Sequence, residues 1–226
     1  MVEYNVKQIK YPKQTRNRDF VIAEFPIEEK KNDPFRQEAF SRLKIIKPAP
    51  VNPSGQIRDE ETLKKTRYLG IISEILLTNF LKEKLGPNVQ VEMEKEYQNY
   101  EEHTDITLKK NSTILTIEVR GSFPFSRLEK VICCLFDVIG PYTTSYKRDE
   151  KGKDFYLRTL INTGVSNFNP QQDHTVYFAG GAELELFKKE GTKTNFKQKG
   201  ASYLTIKPIA KAKDAEEIIR CIETKL

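Results

Sequence analysis

Apolar residues change spacing along this chain, and each change marks an element. From Leu63 to Leu85 they recur at helical intervals, behind Asp59 as an N-cap and ahead of Gly86-Pro87 as a stop. Between Leu69 and Leu81 they occupy most of the circumference, so this helix is predicted to be covered on more than one side. The spacing then shortens to two. Val89, Val91 and Met93 alternate with Gln90, Glu92 and Glu94, which predicts a strand over Asn88 to Met93. The alternation returns in Ile106 and Leu108 and again in Leu115, Ile117 and Val119, with Asn111-Ser112 as turn residues between the two runs. Ser126-Arg127-Leu128-Glu129 reads as a capping box opening a helix that runs through Leu135 and Phe136 to Gly140-Pro141. Leu157 to Ile161, Tyr203 to Ile206 and Thr175 to Phe178, the last ending in Gly180-Gly181, are further predicted strands. Asp214 to Ile222 has the pattern of a closing amphipathic helix. Helices and strands interleave, which is the order of a mixed α/β layer fold.

Residues 1–57 are less regular. They hold one predicted strand, Phe20 to Phe25, a basic opening (Lys7, Lys10, Lys13, Arg16, Arg18) and a proline-rich exit at Pro48, Pro50 and Pro53. The expectation is an N-terminal arm that wraps a partner or packs on the main domain. The chain shows no internal repeat and no low-complexity tract.

The paired runs around Asn111-Ser112 carry the strongest local signal. If those two residues form the turn, Lys110 pairs with Thr113, Leu108 stacks on Leu115 and Ile106 on Ile117. One face of the hairpin is then apolar and can cover a core. Asp105, Thr107, Thr116, Glu118 and Arg120 share the other, with Asp105 opposite Glu118. Cβ atoms of opposed residues lie about 5 Å apart. Two carboxylates at that distance repel unless a proton or a cation stands between them, and a divalent metal resolves the conflict. On the upstream helix Glu74 falls among Ile71, Leu77 and Leu81. There it either meets a partner or a metal, or reaches past the leucines to solvent.

Composition narrows the classes. The 226 residues suit a single domain with appendages and can bury a sizeable core. A net charge of +6, on 31% charged residues, is a modest basic excess that suits nucleic acid or an acidic membrane surface. Three cysteines, two of them adjacent (Cys133, Cys134, Cys221), argue against a disulfide framework and for a reducing, cytoplasmic compartment. No apolar run approaches the roughly 20 residues of a membrane span, and the N-terminus lacks the apolar stretch of a signal peptide.

Several machineries are missing. There is no G-x-x-x-x-G-K-S/T and no G-x-G-x-x-G to cradle phosphates, no C-x-x-C spacing for structural zinc and no G-x-S-x-G elbow. The two histidines, His103 and His174, form no close pair and read as polar loop residues. What remains is carboxylate-based, metal-dependent chemistry.

Asp105, twelve intervening residues and then Glu118-Val119-Arg120 resembles the motif of the PD-(D/E)XK nuclease superfamily, which includes most type II restriction endonucleases. The resemblance covers residues 59–181, and it implies an αβββαβ core with a central mixed β-sheet flanked by helices. It further implies that Asp105, Glu118 and Glu74 bind Mg²⁺ and that Arg120 stands beside the metal. Hard carboxylate oxygens suit that ion. Two positions depart from the motif: Thr104 replaces the proline before the aspartate, and Arg120 replaces the usual lysine. A guanidinium stays protonated, so Arg120 can stabilise charge and position water but cannot act as a base. Either the metal alone activates water, or another lysine substitutes, Lys130 being one possibility, or the fold is kept and activity lost.

On this reading residues 1–226 form a single nuclease domain, with 142–174 and 182–226 as DNA-recognition and peripheral elements. The stretch 142–174 offers Thr143, Thr144, Ser145, Lys147, Arg148 and Arg158 for phosphates, and Asn162, Asn167, Asn169, Gln171 and Gln172 for adenine edges. Lys188 to Lys199 is a second basic stretch. With no motor and no methyltransferase motif, the expected activity is Mg²⁺-dependent, sequence-specific cleavage of double-stranded DNA by a homodimer on a palindromic site. The alternatives are a structure-selective repair or recombination nuclease and a non-catalytic DNA-binding module.

Overall fold

The computed structural model describes residues 2–10, 19–29, 33–45, 59–94, 104–124, 126–143, 152–195 and 202–226. Seven strands form one mixed sheet in the order β1-β2-β8-β7-β5-β4-β3. They are β1 (Asn5–Ile9), β2 (Phe20–Ile27), β3 (Gln90–Met93), β4 (Ile106–Lys110), β5 (Thr113–Ser122), β7 (Phe155–Ile161) and β8 (His174–Glu183). A smaller sheet, β6-β10-β9, is built from β6 (Val138–Tyr142), β9 (Thr192–Asn195) and β10 (Ser202–Ile206). Helices α1 (Pro34–Ile45), α2 (Glu60–Leu85) and α5 (Ala215–Lys225) cover one face of the large sheet. The small sheet covers the other, together with α4 (Leu184–Glu190) and the turn α3 (Leu128–Lys130). The fold class is α/β, with a mixed central sheet flanked by helices.

Local chemistry explains the anchors of this arrangement. Asp59 caps α2 by accepting the Thr62 amide at 2.7 Å, and Gly86 ends it at φ +73°, a conformation that glycine adopts without a Cβ penalty. Asp214 and Glu217 form a reciprocal capping box on α5. Asn111 turns the β4–β5 hairpin at φ 53°, which asparagine tolerates better than most residues. Leu108 pairs with Leu115 and Ile106 with Ile117, as the alternation predicts. The N-terminal residues supply two of the seven strands, and β2 pairs with β8.

Three expectations need correction. The helix predicted from Ser126 shrinks to α3 and one wide turn, Val131–Leu135, before the chain becomes β6. The β-branched Val131, Ile132, Val138 and Ile139, followed by Pro141, make a poor helix interior, and Val131 and Ile132 are buried instead in a second core, on the small-sheet side of the large sheet. The strand predicted from Thr175 forms as part of β8, but it runs on through Gly180-Gly181 to Glu183 instead of ending there, and it pairs antiparallel with β7. The strand parallel to β5 is β7, from the middle of the stretch expected to read DNA. In consequence Arg158, expected to contact phosphate, is 2% exposed.

Two tests follow from these contacts. Gly180 sits at φ +81° where β8 meets Lys213, and a Cβ there would lie 2.1 Å from the Lys213 carbonyl oxygen. Gly180→Ala should therefore cost about 2 kcal/mol or more in denaturant unfolding; a loss under about 0.5 kcal/mol would contradict the geometry. His174 Nδ1 faces the Gln172 carbonyl at 2.8 Å and so carries the proton, leaving Nε2 to accept from the Tyr68 hydroxyl at 3.1 Å. Burial holds the imidazole below its usual range, with the Gln172 carbonyl opposing and Arg36 adding to the shift. A depressed histidine contributes stability above its unfolded value of about 6.5 that is lost as pH falls through the folded value. The thermal midpoint of the wild type should fall more steeply below that pH than that of His174→Gln, which cannot charge.

Candidate active site on the polar face of the hairpin

Strand alternation divides β5 between two layers. Leu115, Ile117 and Val119 enter the core under α2, while Thr116, Glu118 and Arg120 point toward the small sheet. The parallel partner β7 matches this division: Glu118 is in register with Tyr156 and Arg120 with Arg158. One residue beyond the β4–β5 ladder, Asp105 stands opposite Glu118. Asp105 is 5% exposed, and its Oδ2 accepts the Val119 amide at 2.6 Å. The register that opposes Asp105 and Glu118 is the one the alternation predicts.

The cations around them are fixed in different ways. Arg120 pairs with Glu118 at 3.2 Å. Its guanidinium lies 5.5 and 5.3 Å from the ring centroids of Tyr142 on β6 and Tyr203 on β10, which are 4.2 Å from one another. Cation–π attraction therefore ties the large sheet to the small one through Arg120. Burial pushes the Tyr203 phenol up, its hydrogen bond with Tyr142 adds to this, and the Arg120 charge opposes it. Beneath, Arg158 donates to the Arg120 carbonyl at 3.3 Å and to Ser122 Oγ at 2.9 Å. Burial brings its guanidinium down to about 10, with Asp137 opposing and Arg120 adding to the shift, so it remains a cation at neutral pH.

Two neighbours on this face escaped the sequence reading. Asp154 accepts the Thr116 amide and hydroxyl at 2.7 and 2.8 Å, joining the start of β7 to β5. Lys153, 5% exposed, donates from Nζ to Thr104 Oγ1 at 2.8 Å, one residue before Asp105. Its sequence signal was slight: a charged run directly before a predicted strand. Lys130, the substitute considered from sequence, is exposed on α3.

Glu74 is buried on α2, in the layer on the Val119 side of the sheet. There the Leu69 side chain occupies the space above Gly121, and Thr159 of β7 donates to Ser73 at 2.8 Å. Glu118 and Arg120 point away from that layer. Among the described residues, no three His, Cys, Asp or Glu side chains gather as a metal-ligand group. Asp105 and Glu118 are neighbours across the hairpin, and Glu74 does not join them in such a group.

Of the expected recognition residues, Asn162, Asn167, Asn169, Gln171 and Gln172 are exposed on the loop after β7. That loop is held at the carboxyl end of β5 and β7 by the Phe123–Phe168 ring contact at 5.0 Å. His103, residues 144–151 and 196–200 lie outside the described residues, and with them Thr144, Ser145, Lys147 and Arg148. No described helix is long and apolar enough to cross a membrane.

No family model and no solved structure matches the chain. Among curated proteins it is similar to "Uncharacterized protein MJECS01" of Methanocaldococcus jannaschii, with 33% identity over 211 residues, covering 76% of this chain and 75% of that protein. The chain belongs to the same family as that archaeal protein.

Proposed function

We propose that this chain is a Mg²⁺-dependent endodeoxyribonuclease of the PD-(D/E)XK type, a type II restriction endonuclease that cuts double-stranded DNA as a homodimer. The observation that carries the reading is the register that sets Asp105 opposite Glu118, with Arg120 one step along the same face. The surrounding order supports it: α2, the antiparallel meander β3-β4-β5, the short α3, then β6 of the small sheet and β7 parallel to β5. The αβββαβ order expected from the resemblance would take β7 as its last strand, with the second helix cut to the three-residue α3 and β6 inserted before β7.

The donor set fits the metal. Mg²⁺ is commonly held by one or two carboxylates plus substrate phosphate and water, and Asp105 and Glu118 supply two such groups. Bound there, it would neutralise charge on the phosphoryl group and lower the pKa of a water. The chain's own residues do the rest. The Val119 amide holds Asp105 in place through one carboxylate oxygen. Arg120 orients Glu118 through their ion pair, and as a guanidinium it cannot accept a proton from the attacking water. Thr116 and Asp154 brace the strand beneath.

Asn167, Asn169 and Gln171 after β7 line a cleft of about 1110 Å³ with Arg67 and with Lys64 and Lys65, which pair with Glu60 and Glu61; its amides suit base edges. The cysteines are free thiols, which suits a cytoplasmic enzyme.

Purified protein incubated with genome-length duplex DNA should yield discrete fragments with Mg²⁺ and none with EDTA. Asp105→Ala and Glu118→Ala should each lower that cleavage by about a thousandfold or more while far-ultraviolet circular dichroism stays unchanged. Full cleavage by either variant, or equal cutting in EDTA, would remove the metal–carboxylate reading. Duplex binding without cutting in any divalent metal would favour the non-catalytic module instead.

A further inference from the structure

Lys153 is a buried cation at the Thr104 corner of this face. Its backbone is pinned over the polar face: its amide donates to Tyr156 Oη at 3.0 Å, and the next residue, Asp154, holds Thr116. The sheet order places β5 between β7 and β4. A side chain that starts before β7 and ends at Thr104 therefore crosses β5, the strand that carries Glu118. At its end, the ammonium has three N–H donors, and among the described residues one neutral hydroxyl, Thr104 Oγ1, accepts from it. No ion pair of Lys153 occurs among the described residues. A desolvated charge in that state lowers stability, and the cost is relieved when an anion arrives.

Arg120 is poorly placed for the same task. Its guanidinium is engaged by Glu118 and lies against two tyrosine rings. Lys130 is exposed on α3. We propose that Lys153 is the phosphate-binding cation of the hairpin site, its ammonium donating to a non-bridging oxygen of the DNA backbone beside Asp105 and Glu118. The inference rests on the nuclease reading and deepens it by dividing the cations: Arg120 orients Glu118, and Lys153 takes the substrate.

The division is testable without catalysis. Wild type and Lys153→Met are compared in EDTA by fluorescence anisotropy on a labelled duplex of random sequence over a salt series, with thermal midpoints measured beside it. Methionine keeps the length and removes the charge. Lys153→Met should bind the duplex about fivefold to tenfold more weakly, with the slope of log affinity against log salt reduced by about one, as for one lost phosphate contact. Its midpoint should equal or exceed that of the wild type, because a poorly compensated buried charge has gone. Unchanged affinity and slope, or a variant that fails to fold, would overturn the proposal and leave Lys153 a structural residue. Cleavage by the wild type in Mg²⁺, with Lys153→Met binding normally, would sink this inference and leave the nuclease standing. A Lys153-dependent affinity in a wild type that cuts no DNA would do the reverse.

Discussion

The register of β4 on β5 is the constraint from which the rest of the site follows. Strand side chains alternate, so a slip of one residue would exchange the two faces of the hairpin. Ile117 and Val119 would then meet the polar layer, and Glu118 and Arg120 would be driven under α2, among Leu69, Ile72 and Leu76. Burial of two charges there, unless fully compensated, would cost several kcal/mol. The two-residue turn at Asn111 and the core below β5 thus enforce one pairing. The same pairing places Asp105 opposite Glu118. Packing and chemistry are two readings of a single alternation.

The polar face gathers charge in a place with little water to screen it. Arg158 is buried beside Arg120 on the adjacent strand, and their like charges are tempered by Asp137, Glu118 and the tyrosine rings. Lys153 adds a third cation at the Thr104 corner. Gathering like charges where little water screens them costs stability unless anions such as Asp137 and Glu118 offset it. The Tyr142–Tyr203 pair has a related part. By stacking with Arg120 it fixes the small sheet over this face, so the wall of the site and the orientation of Glu118 depend on the same contact.

Much of this was legible in the sequence because it is local. Asp59, Gly86 and the Asn111-Ser112 turn act within a few residues, and the hairpin pairing follows from alternation alone. What escaped detection is nonlocal. The capping-box pattern at Ser126 promised a helix, but the β-branched residues after it and the demand of the second core for Val131 and Ile132 prevailed. Which strand would lie parallel to β5 depended on a crossover that no local period encodes. Arg158 read as a solvated base because nothing nearby in sequence reveals the burial of β7 on both faces. Lys153 was invisible for the opposite reason: its surroundings in sequence look solvated, and only the fold places it at Thr104. For Glu74 the sequence left burial with a partner and escape to solvent both open; it is buried, and helix periodicity cannot say which layer of the sheet its carboxylate will share.

The central claim is that Asp105 and Glu118 together hold a divalent ion on the polar face. The most direct measurement is anomalous diffraction from crystals soaked in Mn²⁺, an oxygen-preferring stand-in for Mg²⁺ that scatters measurably. The account predicts an anomalous peak bridging the two carboxylates, lost from crystals of Asp105→Asn. A clear peak elsewhere, or none at a concentration that loads other Mg²⁺ enzymes, would contradict it.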